Sequence, residues 1–329
     1  MMNRPDTLRD MPTITLEDIH SARETVYRTL RPTPLLKHPL LDLETGLDIR
    51  VKHENHNPTG AFKIRGGLNL IARLSADERR GVVTASTGNH GQSIAMACQR
   101  EGVPCTVAVP VGNNPEKNAA MRALDADVHE VGRDFDEARE YVDRLATERG
   151  LRYVHSANEP HLLAGVATYA LEIFEEAPDA DVVLVPIGGG SGACGCALVR
   201  TLTGTRAEVI GIQAAGADAF ARSWRTGTRV VGEKVETFAE GMATRVTFDL
   251  TFGILRELLD DVVTLTEEEL ADGVRLALRA THNLAEGAGA ASLAAAVKLR
   301  DRLRGRKVVC VMSGGNLDQA TLARILAAR

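Results

Sequence analysis

One lysine, Lys63, sits in the run NPTGAFKIRGG (residues 57–67), directly after Phe62 and bracketed by Gly60, Gly66 and Gly67. Glycines let backbones approach closely, and apolar neighbours strip water from an amine, lowering its pKa toward the neutral, nucleophilic form. A surface lysine needs neither condition; a lysine that attacks a carbonyl needs both. The run VVLVPIGGGSGACG places Gly188, Gly189, Gly190 and Gly192 around Ser191 at a strand-to-helix turn. Backbone N–H groups there, together with the helix N-terminus, suit an anion such as phosphate. A second turn, STGNHG, clusters Ser86, Thr87, Gly88, Asn89 and His90. Hydroxyls and amides at a helix start suit a carboxylate, and Asn89 can face a phenolic oxygen that shares a proton with an imine. His90 is open to two roles, general base or structural turn residue. In SGGN, Ser313 ends a strand and can hydrogen-bond a ring nitrogen.

Pyridoxal phosphate uses all four sites: a lysine for its aldehyde, an anion cradle, and partners for its ring oxygen and ring nitrogen. A rival reading starts from Gly190-Ser191-Gly192-Ala193-Cys194-Gly195, a formal G-x-G-x-x-G. An NAD-dependent oxidoreductase with that fingerprint carries an acidic residue at the end of the next strand to hold the ribose. Here the next strand, AEVIGIQ, ends in Gln213, so a simple phosphate ranks above a dinucleotide.

These loops need strands and helices to hold them. GVVTAS, PCTVAVP, ADVHEVG, DVVLVPI, AEVIGIQ and KVVCVM read as short β-branched strands, and helical patterns alternate with them. That alternation gives the α/β class, with mainly parallel sheets flanked by helices. Val182 to Ile187 is apolar throughout, as expected for a strand buried on both faces. The late run LTEEELADGVRLALRATHNLAEGAGAASLAAAVKLRDRLRG is expected to form outer helical cover, with no further regulatory domain after it. The 329 residues are 44% hydrophobic and 25% charged with net charge −5, which argues against general nucleic-acid binding. No apolar run approaches the roughly 20 residues that span a bilayer. The N-terminus lacks a secretory pattern, so a cytoplasmic location is expected. Five scattered cysteines suggest neither a disulfide framework nor a zinc site.

In order and spacing, NPTGAFKIRGG, STGNHG, GGGSG and SGGN resemble the fold-type II pyridoxal-phosphate enzymes of the tryptophan synthase β-like superfamily. The nearest branch is that of the threonine/serine dehydratases and serine racemase, and the likeness runs from about Ile19 to near the C-terminus. The resemblance implies two domains, each with a mainly parallel sheet. Residues 1–78 and 158–329 would form the large cofactor-binding domain, and residues 79–157 a smaller one that closes over substrate. It implies that Lys63 joins the cofactor as an imine and shuttles the Cα proton, and that Phe62 flanks the ring. Asn89 would bond the ring oxygen, residues 188–192 the phosphate and Ser313 the pyridine nitrogen. Ser86, Thr87 and the amides through His90 would hold the substrate carboxylate, and Glu286 would lie near the ring. A homodimer is implied in the same way.

The implied reaction is dehydration and deamination of a β-hydroxy-α-amino acid, L-threonine or L-serine by default, to a 2-oxo acid and ammonia. A serine, unlike an aspartate, leaves the pyridine nitrogen unprotonated, which favours prompt loss of a β-substituent. Other substrates stay open: 3-hydroxyaspartate, phenylserine or a hydroxyectoine-derived compound. A racemase of the same fold is the other enzyme reading, with Thr87 as the hydroxyl in question; its β-methyl restricts rotation and favours carboxylate binding. The relatives' acidic metal site is represented only by Asp218, beside Gln213, Ala217 and Ala219, so no metal is expected. AGVAT carries Ala167 where a glycine is usual in the family, and HSANEP departs from its common forms; whether Asn158 reaches the cofactor, and whether either change reshapes the pocket, stays open. His53 and His56 are expected in structural or rim roles.

Overall fold

The computed structural model describes residues 13–328. Ten strands form two sheets: β1 (Leu35–Lys37), β2 (Asp48–His53), β3 (Val82–Ala85), β4 (Cys105–Val109), β5 (Asp127–Glu130), β6 (Arg152–Tyr153), β7 (Val182–Pro186), β8 (Glu208–Ala214), β9 (Asp261–Leu265) and β10 (Lys307–Met312). The six-stranded sheet has the order β1-β2-β10-β7-β8-β9, and the four-stranded sheet the order β5-β4-β3-β6. Every pairing is parallel except β1 with β2. All strands of the smaller sheet lie within residues 82–153. STGNHG follows β3, whereas GGGSG and SGGN follow the adjacent strands β7 and β10. The ligand loops of the two sheets therefore meet, as carboxyl ends of parallel strands do in α/β folds.

Among the described residues, no helix is long and apolar enough to cross a membrane. The late helical run divides in two. Helix Glu267–Thr281 opens with a Thr266 capping box and keeps an exposed polar face, as outer cover should. Helix Gly287–Lys298 differs from expectation: residues 287–296 are all buried. Its alanines and glycines are small enough to let it nest between the sheet and its neighbour. A Cβ on Gly289 would lie 1.9 Å from Gly314 O, and one on Gly273 2.9 Å from Ala290 O.

Lys63 begins the Lys63–Ile71 helix. Two glycines inside a helix cost about 1 kcal/mol each in propensity, and packing explains them. A Cβ on Gly67 would stand 2.4 Å from Ser93 Oγ and 2.7 Å from Ser93 O, and one on Gly66 2.8 Å from Leu162 Cγ. From the other side, Gly165 approaches Arg65 O so closely that its Cβ would lie at 2.5 Å. The lysine helix is thus clasped between helices Asn89–Glu101 and Pro160–Glu176.

A buried charge network fixes the same helix from beneath. Arg65 donates Nε to Glu54 Oε2 and Nη2 to Glu54 Oε1, both at 2.8 Å. It also donates Nη1 and Nη2 to Glu172, at 2.6 and 2.9 Å. Lys52 Nζ lies 2.6 Å from Glu172 Oε2. Lys52, Arg65 and Glu54 are 0% exposed and Glu172 is 2%, so two cations and two anions balance out of water. Burial opposes ionisation of Glu172, yet Arg65 and Lys52 hold its carboxyl below the usual range. Removing one member strands an opposite charge, which costs about 3–5 kcal/mol. Glu172→Ala should therefore lower the free energy of unfolding by about that amount, read from the denaturant midpoint at unchanged m-value.

Candidate active site

A cavity of about 830 Å³ opens where the loops of the two sheets meet. Phe62, Lys63, Ser86, Thr87, Gly88, Asn89, His90, Gly188, Gly189, Gly190, Ser191, Gly192, Glu286 and Ser313 all line it. Segments far apart in sequence thus put every sequence-predicted site residue on one wall system. Asn158 and Ala167 do not line it. Asn158 Oδ1 accepts from Leu250 N at 3.2 Å, and Ala167 is buried against Gly195. The question left open for Asn158 is thereby answered: both residues pack the scaffold and neither lines the cavity.

Lys63 Nζ donates to Ser191 Oγ at 2.9 Å and stands 5.1 Å from the centre of the Phe62 ring. Burial lowers its pKa to about 8, so an appreciable fraction is a neutral nucleophile near pH 7. Ser191 begins the 13-residue helix Ser191–Thr203, whose N-cap, Gly190, has φ +91° and supplies no side-chain cap. Only glycine enters that backbone region cheaply. The first turn holds no acidic side chain, so its N–H groups and partial positive charge stay available to an anion. Tyr169, which no motif marks, donates its hydroxyl to Gly192 O at 2.7 Å and packs edge-on to Phe62. It braces both the turn and the aromatic wall.

In the STGNHG turn, Ser86 Oγ accepts from Gly88 N (3.2 Å) and Gly91 N (2.8 Å). Those bonds hold the turn and leave the Ser86 proton to be donated. Thr84 Oγ1 donates to Val154 O at 2.8 Å, so it accepts from His90 Nε2 at 3.0 Å. His90 is therefore the neutral Nε2–H tautomer, and its buried Nδ1 has no hydrogen-bond partner. Burial first, then nearby Lys63 and His155, pushes its pKa down to about 3. A base that weak does little proton abstraction at neutral pH, which favours the structural role.

Asn89 Nδ2 donates to Glu286 Oε1 at 2.7 Å. Burial pushes the Glu286 carboxyl up to about 7, against the pull of Lys117 and Asn89. Ser313 is 5% exposed at the end of β10, and its carbonyl accepts from Phe62 N at 3.0 Å, tying the SGGN loop to the lysine segment. The cavity is also lined by charged residues that the sequence did not single out: Lys117, Asp136, Arg139, Glu240 and Arg245. Lys117 pairs with Glu240, and Arg245 lies 3.8 Å from Asp136.

The residues read as rim or rival features also have places. His53 is buried, with Nε2 2.9 Å from His38 Nε2, and His56 hydrogen-bonds Asn283. Neither lines the cavity. Gln213 is buried with Oε1 accepting from Ala221 N at 2.8 Å, so no acid waits there for a ribose. Among the described residues, no group of three or more His, Cys, Asp or Glu side chains could hold a metal ion.

The donor set fits pyridoxal phosphate: a desolvated amine for the aldehyde, hydrogen-bonded directly to the head of an uncapped helix that suits the phosphate. Comparison with known proteins agrees. The family described as pyridoxal-phosphate dependent enzyme matches residues 26–314. An L-threonine ammonia-lyase of Thermotoga maritima is 40% identical over 314 residues, 95% of this chain and 78% of that protein. A serine racemase of Schizosaccharomyces pombe is 31% identical over 313 residues, 95% of this chain and 97% of that one. The structure of the processed form of threonine deaminase isoform 2 from Solanum lycopersicum matches with a TM-score of 0.90 at 30% identity, covering 95% of this chain and 86% of its own.

The lowered Lys63 pKa has a direct readout. In the cofactor-free chain, imine formation at Lys63 with a small aldehyde, trapped by cyanoborohydride and mapped by mass spectrometry, should rise with pH and level off above about 8. A profile still climbing at about pH 10 would be that of an ordinary lysine.

Proposed function

The chain belongs to the pyridoxal-phosphate dependent enzyme family, and from that premise we propose that it removes water from a β-hydroxy-α-amino acid, L-threonine or L-serine, to release an enamine that tautomerises to an imine and is hydrolysed by water. The products are a 2-oxo acid and ammonia. The observation that carries this reading is the 2.9 Å contact between the Lys63 amine and Ser191 at the head of the glycine turn. It sets a partly neutral amine beside a phosphate-type cradle, and the 40% identical L-threonine ammonia-lyase supports the substrate class.

Bound pyridoxal phosphate supplies an aldehyde for imine exchange and a conjugated ring that draws electron density from Cα. The chain's own residues do the rest. The N–H groups of the 188–192 turn and the Ser191 hydroxyl hold the phosphate. Ser86 and Thr87, with the N–H groups that open helix Asn89–Glu101, hold the substrate carboxylate and so fix which Cα bond faces Lys63. Lys63 Nζ would take the Cα proton, and the Cβ–O bond would break with its electron pair on oxygen, the hydroxide taking up a proton to depart as water. Ser313 offers the ring nitrogen a neutral hydrogen bond and does not force a proton onto it, which favours elimination over a long-lived carbanion. The mixed wall of Phe62 and glycines limits water at the amine.

Residues 79–157 act in this reading as the unit that closes over substrate. The Lys117–Glu240 pair and the Arg245–Asp136 approach, all four residues lining the cavity, link it to the larger sheet's loops. The reading also includes a homodimer in the cytoplasm. Exposed apolar side chains on neighbouring elements, Leu36 (44%), Leu40 (40%) and Leu43 (79%), support self-association, and sedimentation at micromolar concentration tests it. Racemisation remains a second reading because Thr87 brings a hydroxyl to the cavity wall.

The purified protein should show a visible band that borohydride abolishes, with the label on Lys63. It should release 2-oxobutanoate and ammonia from L-threonine, and Lys63→Ala should lower kcat by at least about 10³-fold. Chiral analysis of residual serine separates the readings: D-serine forming faster than pyruvate would replace lyase with racemase.

A further inference from the structure

Asn316, on the loop after β10, makes two hydrogen bonds that together decide which way another amide points. Its Nδ2 donates to Thr59 O at 2.8 Å and to Asn89 Oδ1 at 2.7 Å. Both N–H groups of the Asn316 amide are thereby used. Turning the amide over would set its oxygen against the Thr59 backbone carbonyl, which can only accept, so a single orientation is enforced and the second N–H is left to point at Asn89. Gly60 makes room for it: a Cβ there would lie 2.6 Å from Asn316 Oδ1.

The constraint passes to Asn89. Its Oδ1 is occupied by Asn316, so Nδ2 is the end that donates. One Nδ2 hydrogen goes to Glu286 Oε1 at 2.7 Å, and the second remains for a ligand in the cavity that Asn89 lines. We propose that Asn316 is a positioning residue that locks the Asn89 amide, so that an N–H and not the carbonyl oxygen meets the ring oxygen of the cofactor. This rests on the pyridoxal-phosphate reading of the site. A donor stabilises the oxygen in its anionic form, whereas a carbonyl there would repel it.

Glu286 alone would not enforce this polarity. Its carboxyl is pushed up to about 7 by burial, with Lys117 and Asn89 lowering it and Glu240 raising it. Near neutrality it therefore changes from acceptor to donor, and a protonated carboxyl satisfies either end of an amide. Asn316 has no titratable proton and donates at every pH. It uncouples the cofactor contact from the state of the acid beside it.

A double-mutant cycle on the full-length holoenzyme tests the assignment. Asn316→Asp keeps the side-chain shape but replaces a double donor with acceptors; Asn89→Ala removes the residue through which Asn316 is held to act. The readouts are pyridoxal phosphate retained on dialysis and the position of the visible band, with circular dichroism to check folding. Asn316→Asp should weaken retention about tenfold and shift the band in the wild-type background, but change retention less than about twofold in the Asn89→Ala background. Asn316→Ala, which adds no charge, repeats the cycle if the aspartate variant does not fold. Equal losses in both backgrounds would make Asn316 merely structural and overturn the proposal, as would no loss in either. A wild-type chain that takes up no pyridoxal phosphate would instead overturn the site reading itself, a result distinct from a cycle without coupling.

Discussion

The guanidinium of Arg65, clamped between Glu54 and Glu172 only two positions beyond Lys63, is the contact through which the rest of the site is held. Its partners come from the turn that follows β2 and from helix Pro160–Glu176, and Lys52 joins from β2 itself. Desolvating four charges is costly, and an apolar cluster of equal volume would often stabilise as much. What the ion network adds is geometry. Fork-shaped donors matched to two carboxylates permit one rotation and one height of the Lys63–Ile71 helix. The close glycine contacts at Gly66, Gly67 and Gly165 remove the remaining lateral freedom. The amine therefore reaches Ser191 from a helix that has little room to shift.

Electrostatics at the base of the cavity follow from the same burial. Lys63 is lowered to about 8, His90 to about 3, and Glu286 is raised to about 7. In each case desolvation is the largest cause and favours the neutral form. A site poor in fixed side-chain charge leaves anion binding to oriented backbone N–H groups, which carry partial charge and cannot be lost by titration. Of the charged side chains that do line the cavity, Lys117 is matched with Glu240 and Arg245 with Asp136.

Much of the site was legible in the sequence because its signals are local. Lys63 among glycines, the GGGSG turn and the STGNHG turn each announce their chemistry within a dozen residues, since a strand-to-helix turn positions its own N–H groups. The parallel α/β class was legible for a similar reason: buried strands such as β7 are uninterrupted apolar runs. Less was legible in helix Gly287–Lys298. Its alanine-rich pattern carries no periodicity that separates a fully buried helix from a surface one, and only the available space between sheet and neighbour decided its burial. Asn158 and Ala167 could not be placed from the sequence either, and tertiary contacts decided them: Asn158 bonds Leu250 N and Ala167 packs on Gly195, off the cavity wall.

From the order of residues alone came the reactive amine, the anion turns and the types of element that carry them, because hydrogen-bonding capacity, backbone freedom and hydrophobic period are properties of short segments. Only the tertiary structure joined Arg65 to a glutamate 107 positions away, set Asn316 against Asn89 across 227 positions, and lowered the lysine pKa by enclosing it. Long-range pairing and burial belong to no segment by itself. They arise when distant stretches exclude water together, and that exclusion is what turns a lysine in a glycine-rich run into a nucleophile.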